Sequence, residues 1–101
     1  MIPLIEANRD AIVDLCRQYG VRKLAVFGSA VNGTWDPDRS DLDFVVDVGE
    51  YERGVSRRFL RFFTEIQDLF APRRVDVVTF HPYLSDTFRR ELDATAVTIH
   101  E

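Results

Sequence analysis

Leu24-Ala25-Val26-Phe27-Gly28-Ser29 and, after eleven intervening residues, Asp41-Leu42-Asp43-Phe44-Val45-Val46-Asp47-Val48 decide how this chain folds. The first stretch is a short apolar run stopped by glycine, and it reads as a strand over 22–27. The second alternates. Leu42, Phe44, Val46 and Val48 fall on one side, and Asp41, Asp43, Val45 and Asp47 on the other. Residues two apart on a strand share a face, so the spacing predicts a strand over 41–48 with one side covered. The segment between them, 32–40, gathers Asn32, Gly33, Asp36, Pro37 and Asp38, which are turn and loop formers. It is too short for a full crossover helix, so the two strands point to a mixed sheet.

Working outward, residues 4–19 read as a helix, because Ile5, Ile12, Cys16 and Tyr19 recur at helical spacing and Gly20 follows as a stop. Residues 51–70 carry the clearest helical pattern. Val55, Phe59, Phe62, Phe63, Ile66 and Phe70 make one wide apolar face, with Arg57, Arg58, Arg61 and Glu65 outside it, and Pro72 ends the run. Residues 74–80 read as a third strand. Leu84, Phe88 and Leu92 predict a last helix, and Val97-Thr98-Ile99 a short final strand. The resulting order is of the α/β (α+β) class: a small mixed β-sheet with helices packed on one face.

Composition sets the limits. A chain of 101 residues fits one compact domain, and eight Phe give it material for a core. The formal net charge of −4 argues against non-specific nucleic-acid binding, which rests on Lys and Arg neutralising phosphates. Cys16 is the one cysteine, so an internal disulfide is excluded and a reducing cytoplasm is the simplest setting. Met1-Ile2-Pro3-Leu4 has no signal-peptide character, and no apolar run approaches a membrane span. The expectation is a cytoplasmic protein with no membrane partner.

Three features carry chemistry. Gly28-Ser29 ends the first strand; glycine permits close approach of a ligand to the backbone, Ser29 adds a hydroxyl, and a short helix starting there would aim N–H groups at a phosphate. Alone, such a pair is most often just a turn. Asp41 and Asp43 put two carboxylates on one face of a strand, where they repel unless a cation lies between them; hard oxygen donors suit Mg²⁺. A solvent-facing acidic pair is the plain alternative, although Asp is disfavoured in strands. Asp76 is a lone acid among Val75, Val77 and Val78. As a structural residue it would need a partner such as Arg73 or Arg74; as a functional one it would be a third carboxylate and a proton acceptor.

Gly28-Ser29, the eleven-residue spacer, Asp41-Leu42-Asp43-Phe44, the apolar strand before Gly28 and the later Asp76 together resemble the signature of the DNA-polymerase-β-like nucleotidyltransferase superfamily. With its length, the chain looks like the minimal nucleotidyltransferase (MNT) family. The resemblance covers nearly all of 1–101, which is expected to be a single minimal nucleotidyltransferase domain with a polymerase-β-like palm. The spacer is about one residue longer than in many members, in a loop where insertion costs little. The resemblance implies that Asp41, Asp43 and Asp76 hold two Mg²⁺ ions, that Gly28 and Ser29 grip the triphosphate of ATP, and that Asp76 helps deprotonate the attacking hydroxyl. It also implies the role of an antitoxin that attaches AMP to a HEPN ribonuclease toxin encoded nearby; whether the chain forms a homo- or hetero-oligomer stays open, and its acidic charge argues against nucleic acid as a direct ligand.

Two alternatives stay open: an antitoxin without chemistry that masks its toxin by binding, and nucleotidyl transfer to a nucleic-acid end or a small molecule. Among other residues, Trp35 reads as the anchor of its loop and His81 as a turn residue. Asp36, Asp38 and Asp47 read as solvated, and Arg57, Arg58 and Arg61 as a solvated helix face with a possible partner-binding use.

Overall fold

The computed structural model describes residues 2–32, 35–36, 39–50, 52–80 and 85–101. Among the described residues there are four strands: β1 (Lys23–Phe27), β2 (Leu42–Asp47), β3 (Val75–Thr79) and β4 (Val97–His100). They form one sheet in the order β3-β2-β1-β4. β1 runs antiparallel to β2 and to β4, while β2 and β3 are parallel, so the mixed sheet expected from the short 28–41 connection is found. Helix α4 (Val55–Phe70) supplies the crossover that a parallel pair requires.

The alternation in β2 sets the layers. Leu42, Phe44, Val46 and Val48 are buried in one core with Leu24 and Val26 of β1 and Val55, Phe62, Ile66 and Phe70 of α4. Phe44 and Phe70 meet with ring centroids 6.1 Å apart, and Tyr19 meets Phe62 edge-on at 6.4 Å. Phe44, Phe62 and Phe70 are fully buried, each worth roughly 1.5–3 kcal/mol of hydrophobic stabilisation, and Tyr19 is partly buried beside them.

The helix expected over 4–19 is two helices, α1 (Pro3–Ala7) and α2 (Arg9–Gln18). They part at Asn8, whose φ of −108° and ψ of 8° leave the helical region and whose Nδ2 donates to the carbonyl of Leu4 at 2.8 Å. Asparagine offers the backbone this local alternative to a helical bond. The apolar spacing does not register the break, because Ile5 and Ile12 face the same core on either side of it.

α1, α2 and α4 make the helix layer expected on one face. Two further helices complete the order: α3 (Ser29–Asn32), directly after β1, and α5 (Asp86–Thr95). α5 is an addition on the opposite face, where Leu92 packs on Ala25 and Val45 and Phe88 meets Phe27 edge-on at 5.9 Å. The cause is in β1 and β2: Ala25 and Val45 are apolar neighbours on that side, and α5 covers them with Leu92. Ser85 caps α5 by accepting the N–H of Phe88 at 3.2 Å. The start expected at Leu84 lies outside the described residues, as does His81.

Candidate active site

The side of the sheet away from α4 carries the acids. In the strand register Phe27 pairs with Asp43, and Asp43 pairs with Asp76. Hydrogen-bonded strands lie about 4.8 Å apart, so these three residues form one row across β1, β2 and β3. Asp41 stands just before β2. The N–H of Leu42 donates to the carbonyl of Arg74 at 2.9 Å, which pins the beginning of β2 to the beginning of β3.

Gly28 closes the row beside Phe27. Its φ is +75°, and a Cβ built there would stand 2.7 Å from Oδ2 of Asp43. Glycine is therefore required twice, for the backbone turn and for the room that the Asp43 carboxylate occupies. The turn leads directly into α3, and the N–H of Val31 donates to the carbonyl of Gly28 at 3.0 Å. Ser29 is half-buried at the first position of α3.

Electrostatics distinguish the three acids. The Asp43 carboxyl is pushed above the usual carboxylate range, first by burial and then by the charges of Asp76 and Asp41. Asp41 forms an ion pair with Arg74, Nε to Oδ1 at 3.1 Å. Asp76 is exposed and has no ion-pair partner among the described residues. Of the two arginines considered as structural partners for Asp76, Arg74 thus serves Asp41 instead. The sequence spacing had no means of showing this, because the strand register decides it.

Among the described residues, no group of three or more His, Cys, Asp or Glu side chains stands close enough to hold one metal ion. The donor chemistry still fits Mg²⁺, which takes one or two carboxylates and fills its remaining positions with water and phosphate oxygens. Asp43, lifted by two like charges, is the kind of group that a cation relieves. Asp41, Asp43 and Asp76 therefore fit as an open set of hard ligands rather than a closed cage.

Asp47, expected to be solvated, is half-buried, and its Oδ1 accepts the N–H of Gly49 at 2.8 Å. Trp35 is half-buried and packs against the main core. Asp38 lies outside the described residues. No helix among the described residues is long and apolar enough to cross a membrane.

No curated protein sequence matches the chain significantly. The nucleotidyltransferase domain family matches over residues 9–95. A solved structure described as a minimal nucleotidyltransferase is 30% identical, covers 92% of this chain and 90% of its own, and superposes with a TM-score of 0.71. A chain of a toxin-antitoxin complex with AMP-PNP is 19% identical, with a TM-score of 0.68, over 91% of this chain and 72% of that one. A chain of the MntA-HpeT toxin-antitoxin complex, in a variant carrying two Asp-to-Glu changes, is 17% identical, with a TM-score of 0.67 and the same coverage. The fold is shared with all three, and the family match spans most of the chain: the chain belongs to the nucleotidyltransferase domain family, in its minimal form.

Proposed function

We propose that this chain is a Mg²⁺-dependent protein adenylyltransferase that moves AMP from ATP to a hydroxyl of a partner protein, and that it serves as the cytoplasmic antitoxin of a HEPN ribonuclease toxin. The observation that carries the reading is the row Asp43–Asp76 with Gly28 packed against Asp43 at one end. The fold shared with toxin-antitoxin chains, one of them solved with AMP-PNP, supports the donor class and the partner class. Residues 1–101 act in this reading as one catalytic domain.

In the mechanism, Asp41, Asp43 and Asp76 would hold Mg²⁺. When bound, the ions supply the charge that offsets the triphosphate and the departing pyrophosphate. Gly28, lacking a side chain, lets the triphosphate lie against the backbone, and the Ser29 hydroxyl donates to a phosphate oxygen. The acceptor oxygen forms a bond to the α-phosphorus as the bridging bond to the β-phosphate breaks, and pyrophosphate leaves. Asp76, exposed and unpaired among the described residues, receives the acceptor's proton. Positioning and charge account for the rate, because no covalent enzyme intermediate is involved.

The test is transfer of label from α-labelled ATP to the product of the adjacent gene, with Mg²⁺, beside Asp41→Asn. Label on the partner with the wild type alone supports the reading. A second reading, neutralisation by binding without chemistry, draws on the lack of a closed three-acid group among the described residues. It gains if no label appears and Asp41→Asn silences the partner as well as the wild type does.

A further inference from the structure

α4 shows solvent an outer stripe that the fold does not use. Leu60 is 61% exposed, the most exposed large apolar side chain among the described residues. Arg57 and Arg61 flank it, both exposed, and neither makes a hydrogen bond or ion pair among the described residues. With Tyr19, Thr64 and Glu65 they line an open groove of about 650 Å³ between the end of α2 and the outside of α4. Arg58, by contrast, is taken up by the fold: its Nη2 donates to the carbonyl of Val48 at 3.1 Å.

An unpaired pair of arginines is unexpected in a chain with a net charge of −4, where carboxylates are in excess. An exposed leucine between them adds no solubility and contacts no core. Together they match a ligand that is acidic and also apolar. Phosphate backbones satisfy the arginines but leave Leu60 without a partner, and the overall charge opposes a nucleic acid. Positions 57, 60, 61 and 64 lie along one helix face over about 10 Å, at 1.5 Å per residue, the length over which a second helix can run alongside.

We propose that this stripe is a docking surface for an acidic amphipathic helix of a partner protein, with an apolar side chain seated on Leu60 and Tyr19 and carboxylates on Arg57 and Arg61. The sheet separates it from the carboxylate row, so docking is independent of nucleotidyl transfer and does not rest on it.

The test is fluorescence-anisotropy titration of the full chain with a labelled 18-residue helical peptide bearing a leucine stripe flanked by glutamates. A scrambled peptide of the same composition, a lysine-for-glutamate version and a 12-nucleotide oligouridylate are run beside it. The expected result is saturable binding of the acidic helix alone, weakened at least about tenfold by Arg57→Glu with Arg61→Glu and by Leu60→Asp, and falling with added salt. All three positions are exposed, and unchanged thermal midpoints and unchanged Mg²⁺–nucleotide binding of these variants separate lost docking from lost folding or a lost active site. No binding of the acidic helix, equal binding of the scrambled peptide, preference for the oligonucleotide, or indifference to Leu60→Asp would overturn the proposal.

Discussion

Gly28 and Asp43 compete for one volume: the carboxylate of Asp43 fills the space that any side chain at Gly28 would need, with 2.7 Å between the would-be Cβ and Oδ2. The end of β1 therefore fixes the position of the acid in the middle of the site.

Gly28→Ala is expected to lose ~1–3 kcal/mol of stability, since alanine is strained at a φ of +75° and must also move Asp43. Transfer should fall by about 100-fold, the loss that accompanies a misplacement of about an ångström. Gly54→Ala is the control. Its φ is +89°, but nothing lies within 4 Å of the added methyl, so it should cost ~1 kcal/mol and leave transfer unchanged. Denaturant melts and initial transfer rates on both variants check the pair.

Asp43→Asn should raise the melting temperature of the metal-free protein at neutral pH and abolish the rise that Mg²⁺ is expected to give the wild type on the proposal above. The folded protein holds the Asp43 carboxyl above its ordinary range, chiefly through burial and then through Asp76 and Asp41. A raised carboxyl favours the fold when protonated. That contribution is full below the unfolded carboxylate value of about 3.9 and is lost as pH rises through the higher folded value. The advantage of Asp43→Asn should therefore shrink as pH falls. Scanning calorimetry from acid to neutral pH, with and without Mg²⁺, reads both effects; a melting temperature unmoved by the substitution throughout contradicts them.

Cys16 should be silent to thiol reagents in the native protein. It is fully buried, and burial pushes its thiol up to about 12, so the reactive thiolate is scarce. Modification by a disulfide reagent should track global unfolding, with labelling rates that follow denaturant in step with circular dichroism. Fast labelling in native buffer would show that α2 opens locally.

Ser85→Ala should cost ~1 kcal/mol, because the Phe88 N–H loses the hydroxyl that caps α5. Ser85→Asp should keep most of that stability, as an acceptor at a helix N-terminus. Urea denaturation midpoints distinguish the two, and equal loss in both would remove the cap from the account.

The row of acids was legible before any coordinates because a strand's two-residue period puts Asp41 and Asp43 on the side opposite Leu42 and Phe44. The structure has Asp43 on that side, in register with Asp76, and Asp41 just before β2. β2 and α4 were legible for the same reason, each having a clear period, whereas β1, β3 and β4 were legible as short apolar or β-branched runs bounded by breaks. Three things were not. The break at Asn8 depends on a side-chain bond to Leu4 that leaves the apolar spacing intact. The seat of α5 depends on Ala25 and Val45, whose significance appears once both strands are aligned. The pairing of Arg74 with Asp41 rather than Asp76 depends on how β2 registers with β3, a long-range fact that no local pattern contains.

β3 is an outer strand of the sheet, so Asp76 sits at a rim and not at the bottom of a pit. A rim presents its chemistry to whatever is brought alongside. In the adenylyl transfer proposed above, discrimination would pass to the molecule that delivers the hydroxyl. On that proposal, a domain arranged in this way could be redirected to a new target by exchanging its companion while every acid stays where it is.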